Sequence, residues 1–229
     1  MRLAALSAFA VSTFALPALS LATASPRDTL VVSTTWLAQH LKDPDLVLLH
    51  VGDKAEYEAA HIPGAGFIDL HSHVLPALDD GAKSLRDSLE MVSLLGKVGF
   101  STVVATPHQR DRMFMPTRQA IDGAHAAVKA ALPPGSPELL LGAENMWDEV
   151  FLERSLSSTQ PSYTGAKAFL FELPTQQMPP RVEERLFAIR RAPGHLLPVM
   201  AHPERYQALW DDVDRVARLR AQAALVIDL

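Results

Sequence analysis

Apolar and amphipathic stretches alternate along the chain from Phe67 onward. Each short apolar run, typical of a buried strand, is followed by a longer stretch with apolar residues three or four positions apart, typical of a helix. The first such helix is framed by Ser84, a suitable N-cap, and Gly99, a suitable stop. The alternation predicts an α/β architecture of successive β/α units.

Six apolar runs are predicted as strands, at residues 66–70, 101–105, 139–141, 168–171, 196–200 and 224–227. Predicted helices cover residues 84–98, 181–191 and 211–222, and one more begins at Pro116 and ends before Pro133.

The first residues have a different pattern. Residues 1–24 combine Arg2, a long apolar run and the small-residue site Ala22-Thr23-Ala24, which is typical of a cleaved export signal. The apolar run is nearly long enough for a permanent membrane anchor, which is the alternative. Pro17 and the Ala-x-Ala site favour cleavage, so we expect a periplasmic or secreted protein with no stable membrane span.

Residues 28–66 form a separate segment, with helices predicted at 35–41 and 53–60 around an apolar strand at 45–51. Its start at Val32-Ser33-x-x-Trp36-Leu37 and its segment Tyr57-x-x-x-His61-Ile62-Pro63-Gly64-Ala65 resemble the opening of a rhodanese domain. Sulfur transfer is excluded, because the persulfide-carrying cysteine of that family is absent. We expect His50 and His61 to be structural or exposed.

The composition of the chain excludes several kinds of binding surface and catalytic site. The 229 residues are 48% hydrophobic and 21% charged, which is typical of a globular protein. A net charge of −5 argues against a nucleic-acid-binding surface. The chain has no cysteine, which excludes disulfides, zinc–thiolate sites and a cysteine nucleophile. A phosphatase with this sequence would have to activate water, most simply with bound metal.

Candidate metal ligands follow one predicted strand after another. In β/α barrels the loops at the carboxyl ends of the strands converge on one mouth. The residues found there are His71, His73, His108, Glu144, Glu172 and His202, and Asp79-Asp80-Gly81 adds oxygen donors. The period of two places the rings of His71 and His73 on the same side of an extended backbone. Imidazole and carboxylate together predict a cluster for Mn, Fe or Zn, whereas Mg prefers oxygen alone.

Six segments in order resemble the CpsB/CapC branch of the polymerase-and-histidinol-phosphatase (PHP) family, from Phe67 to Leu229. They are Ile68-Asp69-Leu70-His71-Ser72-His73-x-Leu75-Pro76, Asp79-Asp80-Gly81-x-x-Ser84, Ala105-Thr106-Pro107-His108, Gly142-x-Glu144, Phe171-Glu172-Leu173-Pro174 and Ala201-His202-Pro203-Glu204-Arg205-Tyr206. The resemblance implies a distorted seven-stranded (β/α)7 barrel with three divalent metals, usually manganese. It further implies hydrolysis of phosphotyrosine on tyrosine kinases that control capsular or exopolysaccharide export.

Residue roles follow from the same resemblance. The positions that match metal ligands are His71, His73, Asp80, His108, Glu144, Glu172 and His202, and Glu172 is suited to bridge two ions. Arg205 matches the arginine that receives the substrate phosphate, although a surface ion pair with Glu204 or Asp211 is the alternative. Arg110 and Arg112 would add positive charge for substrate at the mouth, or lie in a solvated loop. Asp79 could act as a partner of a ligand.

The chain also departs from the family. Family members continue past the position of Leu229, with a Ser-Asp-x-His segment whose last ligands complete the metal set. We therefore expect an incompletely closed barrel, an exposed edge after Val226-Ile227 and a metal position short of ligands. The export signal conflicts with the cytoplasmic location usual for the family. The alternatives are another PHP phosphoesterase, acting on histidinol phosphate or a nucleotide, and a non-catalytic metal-binding protein.

Overall fold

The computed structural model describes residues 33–43, 48, 50 and 54–227. The predicted export signal and most of the predicted strand at 45–51 lie outside these residues. Contacts between Cα atoms divide the chain into two compact units, residues 1–46 and 47–229. None of the described helices has the length and apolarity that a membrane span requires.

In the first unit, helix α1 covers Thr34–His40, and the hydroxyl of Ser33 caps it by accepting from Trp36 N at 3.0 Å. This confirms the predicted helix to within one residue. The second unit begins with Leu48 and His50, both of which hydrogen-bond to the backbone of Gly66. Helix α2 covers Lys54–Ala59, inside the predicted helical stretch.

Eight short strands follow, and every neighbouring pair is parallel. They are β1 Ile68–Ser72, β2 Thr102–Ala105, β3 His108–Gln109, β4 Glu138–Leu141, β5 Glu144–Met146, β6 Ala168–Glu172, β7 Leu197–Ala201 and β8 Ala224–Val226. One sheet has the order β1-β2-β4 and the other the order β3-β5-β6-β7-β8. The six predicted strands are confirmed, whereas β3 and β5 were not predicted.

The two sheets are joined through two broken strands. β2 runs into β3 across Thr106 and Pro107, and β4 runs into β5 across Gly142 and Ala143. Backbone hydrogen bonds continue across both breaks, because Thr106 N donates to Ser72 O and Gly142 N donates to Ala105 O, each at 2.8 Å. The strands therefore form one parallel series with β1 at one end and β8 at the other.

Helices follow the strands, as β/α alternation predicts. Their bounds are α3 Leu85–Val98, α4 Arg118–Ala131, α5 Glu149–Leu156, α6 Val182–Arg190, α7 Gln207–Trp210 and α8 Val213–Arg220, with a 3-10 turn at Pro203–Arg205. Ser84 caps α3 and Gly99 ends it in the left-handed region at φ 116°, as predicted. The helices α5 and α7 were not predicted.

Three apolar cores hold this arrangement together. Two pack helices against the strands, and the third gathers apolar residues from the strands themselves. Val104, Leu170, Val199 and Ala201 form its buried part with Tyr163, and residues of β1, β4 and β8 pack against it. The candidate ligands lie where these strands end.

Candidate metal centre

Glu144, the first residue of β5, is the centre of a cluster of four imidazoles. Its side chain is 1% exposed, and its Oε2 lies 3.1 Å from His71 Nε2, His73 Nε2 and His108 Nδ1. Its Oε1 lies 2.9 Å from His202 Nε2. The pairing of His108 with Glu144 in the β3–β5 ladder explains why these two side chains meet.

His71 and His73 come from the end of β1, where the register with β2 shifts between Asp69 and Ser72. Their Nε2 atoms are 3.2 Å apart, which confirms that both rings face the same side. The other nitrogen of His73, Nδ1, lies 2.8 Å from Asp79 Oδ2. A carboxylate at Nδ1 fixes the tautomer and turns Nε2 toward the cluster, so Asp79 lies where the predicted partner of a metal ligand would have to lie.

The loop that carries Asp79 is held tightly against His73. Asp79 accepts from His108 N through Oδ2 and from Gly81 N through Oδ1, each at 2.9 Å. A Cβ on Gly81 would lie 2.2 Å from His73 O, so only glycine fits this approach. The loop therefore ties β1, β3 and Asp79 into one rigid support.

His108 and Glu172 also meet beside Glu144. His108 Nδ1 lies 3.3 Å from Glu172 Oε1, and both atoms are buried with no hydrogen-bond partner among the described residues. Glu172 is the last residue of β6. Buried polar atoms without partners are rare in folded proteins, and an ion between them would satisfy both.

Two further candidates complete the cluster. His202 is 2% exposed, follows β7 and has φ 37°, in the sparsely populated left-handed region. Asp80 is more exposed, with 65% of its side chain accessible, and its Oδ1 lies 3.5 Å from His108 Nε2. The structure thus brings together all seven predicted metal ligands.

The opposite charges of the cluster stabilise one another. Burial opposes the charge of His73, but its hydrogen bonds to Asp79 and Glu144 outweigh burial and raise its pKa to about 10. Burial likewise opposes ionisation of Glu144, yet hydrogen bonds from His202, His71 and His73 hold its pKa well below its usual range. The pKa of Asp79 is also lowered, because the hydrogen bonds from His73, His108 and Gly81 outweigh burial.

The donor set and its spacing fit divalent cations. Ligand atoms about 2.1 Å from one ion, at angles between octahedral and tetrahedral, are about 3.0–3.4 Å from one another. The contacts of Glu144 Oε2 and of His108 Nδ1 fall in this range. Three groups of side chains each bring ligand atoms within 4.8 Å: His71, His73 and Glu144; His73, Asp80 and His108; His108, Glu144 and Glu172.

The predicted arginines lie outside the cluster. Arg205 is on the 3-10 turn after His202, its side chain is 55% exposed, and its Nε lies 3.9 Å from Glu204. Arg112 is exposed beside Asp111, and together with Arg110 it lines a cavity of about 500 Å³. Among the described residues, His50 and His61 belong to none of the three groups.

Three supporting residues were missed from the sequence. The Thr106 hydroxyl accepts from Ser72 N at 2.9 Å, which holds β1 against β2 beside His71 and His73. The Phe114 ring stacks on His108 with centroids 5.6 Å apart. The Tyr206 hydroxyl accepts from Leu173 N at 2.9 Å and donates to Ala201 O at 3.2 Å. Thr106 and Tyr206 were visible as members of motifs, but nothing in the sequence indicated Phe114.

Solved structures and curated proteins resemble this chain. A structure from work on YwqE of Bacillus subtilis and CpsB of Streptococcus pneumoniae, described there as unique metal-dependent tyrosine phosphatases, matches with a TM-score of 0.61 and 27% identity. The match covers 70% of this chain and 66% of that one. The tyrosine-protein phosphatase YwqE of Bacillus subtilis is 34% identical over 140 residues, 60% of this chain. The tyrosine-protein phosphatase CpsB of Streptococcus agalactiae is 29% identical over 154 residues, 66% of this chain.

These matches span only part of the relatives, 54% of YwqE and 63% of CpsB. The family model for capsular polysaccharide synthesis proteins of the CpsB/CapC type matches residues 67–228, which include every residue of the cluster. The chain therefore belongs to the CpsB/CapC family of capsular polysaccharide synthesis proteins.

Proposed function

We propose that this chain is a metal-dependent protein-tyrosine phosphatase that hydrolyses phosphotyrosine and acts in the control of capsular or exopolysaccharide synthesis. The observation that carries the proposal is the cluster around Glu144, in which four imidazoles meet the carboxylates of Glu144 and Glu172. Relatives named as tyrosine-protein phosphatases match 60% and 66% of this chain.

In this proposal the metal ligands are His71, His73, Asp80, His108, Glu144, Glu172 and His202. Glu144 and His108 each belong to two of the three ligand groups, so they are placed to hold neighbouring ions. Glu172 presents Oε1 to His108 and Oε2 to His202, at 3.3 and 3.7 Å, which suits a bridging carboxylate. Manganese is the metal we favour, with Fe, Zn or Mg as substitutes, because mixed imidazole and carboxylate donors suit borderline ions.

Bound divalent ions supply Lewis acidity and acidify water for attack on phosphorus. The chain supplies the rest. Glu172 and its neighbours hold the negative charge that attracts the ions. Arg205, on the turn directly after His202, offers its planar guanidinium to the phosphoryl oxygens. Its pair with Glu204 is long and exposed, so this pair contributes little to holding the guanidinium.

The cavity lined by Arg110 and Arg112 is the proposed entrance for the substrate protein. Met146 and Pro174 also line it, and they follow the ligands Glu144 and Glu172 by two residues each. This position at the strand ends supports a role for the two arginines in substrate binding.

Finer features belong to the same proposal. The parallel strand series and its shared apolar core support a distorted PHP barrel. The proposed partner is a bacterial tyrosine kinase that carries phosphotyrosine. Residues 28–66 are proposed to be rhodanese-like, and residues 1–24 are proposed to direct export to the periplasm or exterior.

Hydrolysis of a phosphotyrosine peptide by the purified chain with added Mn tests the proposal. His73→Ala should abolish turnover, whereas His61→Ala, which removes an exposed imidazole outside the cluster, should leave it unchanged. Arg205→Ala should lower kcat/KM by about 10²-fold, the typical effect of removing one donor to a transition-state oxyanion. Equal turnover of His73→Ala and the wild-type chain would exclude the proposed centre.

Two other outcomes would replace the proposal. Preference for histidinol phosphate or a nucleotide over the phosphotyrosine peptide would identify another PHP phosphoesterase. Metal bound without turnover of any phosphomonoester would identify a non-catalytic metal-binding protein.

A further inference from the structure

A second cavity, lined by both polar and apolar residues, lies between α4 and α5. Its volume is about 780 Å³, and it is bounded by β3, by the start of α4 and by residues 159–164. None of the seven proposed metal ligands is among the described residues that line it. Gln109 faces this cavity and not the cluster, since it follows His108 in a strand and successive side chains point to opposite faces.

A buried amide lines the cavity. Gln160 is 4% exposed, and neither its Oε1 nor its Nε2 has a hydrogen-bond partner among the described residues. A primary amide buried in this way is destabilising until a ligand supplies a donor or an acceptor.

The start of α4 also borders the cavity, through Thr117 and Arg118. This helix is 14 residues long, and Thr117 caps it by accepting from Ala120 N at 3.2 Å. The amides of the first turn before Ala120 have no partner within the helix. The first turn has no acidic residue, so the positive end of the helix dipole is not neutralised there.

Arg154, on α5, contributes a charge. Its guanidinium contacts Gln109 Oε1 at 3.5 Å and pairs with no carboxylate in the part of the chain that the structure describes. Arg118, the other arginine lining the cavity, already pairs with Asp122 at 2.8 Å. A partly buried guanidinium without a counter-ion favours an anion, and a phosphoryl group accepts several hydrogen bonds at once.

We propose that this cavity, formed by Arg154, Gln160 and the first turn of α4, is a metal-independent binding site for a phosphate monoester or free phosphate. Arg154 and the α4 amides donate to the phosphoryl oxygens, and Gln160 Nε2 adds a further donor. The proposal does not rest on phosphatase activity, because no metal ligand takes part.

Calorimetric titration of the full chain with inorganic phosphate, in the presence of a metal chelator, tests the site. We expect saturable binding that Arg154→Gln weakens by about tenfold or more, since a charge-assisted contact is lost. Arg86→Gln is the matched control, because Arg86 is 90% exposed and outside the cavity, and it should bind like the wild-type chain. Absence of phosphate binding to the wild-type chain, or equal binding by the Arg154 and Arg86 variants, overturns the proposal.

Gln160→Glu provides a second variant that keeps the side-chain shape and adds negative charge. It should abolish binding while retaining a cooperative thermal transition, and unchanged binding overturns the proposal.

A phosphotyrosine peptide and its unphosphorylated form distinguish the sources of the ligand. Tighter binding of the phosphopeptide than of phosphate supports a protein-borne monoester, whereas equal binding supports the free ion. Equal binding of both peptide forms overturns the site.

Discussion

Packing alone does not explain the cluster around Glu144, because gathering so many buried polar and charged groups lowers the stability of the fold. Four imidazoles and two carboxylates are gathered at the strand ends, and the Nδ1 of His108 and the Oε1 of Glu172 have no hydrogen-bond partner among the described residues. A buried polar atom without a hydrogen bond destabilises a fold by about 1–3 kcal/mol, and the 3.3 Å contact between these two atoms offsets only part of this. Metal ions bound by both atoms would replace this destabilisation with stabilising contacts.

Metal binding should release protons, because hydrogen bonds to Asp79 and Glu144 raise the pKa of His73 and favour its protonated form. Its pKa of about 10 lies above its unfolded value of 6.5, so the stability it contributes is fully present below pH 6.5 and is lost as the pH rises toward 10. A metal ion must displace this proton. We expect Mn affinity to rise by about tenfold per pH unit between pH 7 and 9 for each proton released. Calorimetry in buffers of different ionisation enthalpy measures the release, and a proton count of zero at pH 8 would contradict this assignment.

Tyr206 joins the strand ends that carry Glu172 and His202, through its bonds to Leu173 N and Ala201 O. Tyr206→Phe leaves the buried amide of Leu173 without its partner, so we expect a loss of about 1–3 kcal/mol in the free energy of unfolding, measured with urea. Tyr57→Phe is the control, since it removes one hydrogen bond to Ala65 O and leaves no donor unpaired. An effect of Tyr206→Phe no larger than that of Tyr57→Phe would rule out the proposed link.

The feature that the sequence predicted best was the position of the strands and of the candidate ligands near their carboxyl ends. Each apolar run is long enough to identify a strand, and a candidate ligand lies near the end of β1, β2 and β7: His71 inside β1, His108 three residues after β2 and His202 directly after β7. All described strands are parallel, so their carboxyl ends lie at one edge. The candidate ligands could therefore be grouped together from the sequence alone.

Other strands and helices have no recognisable pattern in the sequence. β3 has two residues and β5 three, which is too short for a period of two to appear. Helix α5 buries only Phe151 and Ser155, so its apolar face is too narrow to stand out. The stacking of Phe114 on His108 depends on a turn closed by the bridge from Arg110 to Phe114, which involves no sequence motif.

The loop after β1 must stay close to His73 for the cluster to form. In Gly81→Ala the new Cβ would meet the backbone oxygen of His73, so the loop must move and carry Asp79 with it. We expect Mn affinity to fall by about tenfold or more, in the range seen when a partner of a metal ligand is disturbed. Gly123→Ala, inside α4 with no atom within 4 Å of the new Cβ, should keep wild-type affinity in the same titration. Wild-type affinity in Gly81→Ala would show that this contact does not support the site.

Across residues 67–227, the local sequence patterns and the long-range contacts indicate the same fold. The strand series, the helices between strands and the cluster at the carboxyl ends all fall within the segment shared with the CpsB/CapC family. Such agreement between levels is what a sequence needs to specify one structure. Residues 28–66 contribute helices α1 and α2, and none of their described residues belongs to the three ligand groups.

Anomalous diffraction from crystals of the full chain grown with Mn would locate the ions directly. We expect peaks between Glu144, His71 and His73 and between Glu144, His108 and Glu172, with ligand atoms at about 2.0–2.3 Å. A saturating Mn concentration with no anomalous peak among these side chains would contradict the metal centre, and with it the phosphatase function proposed for this protein.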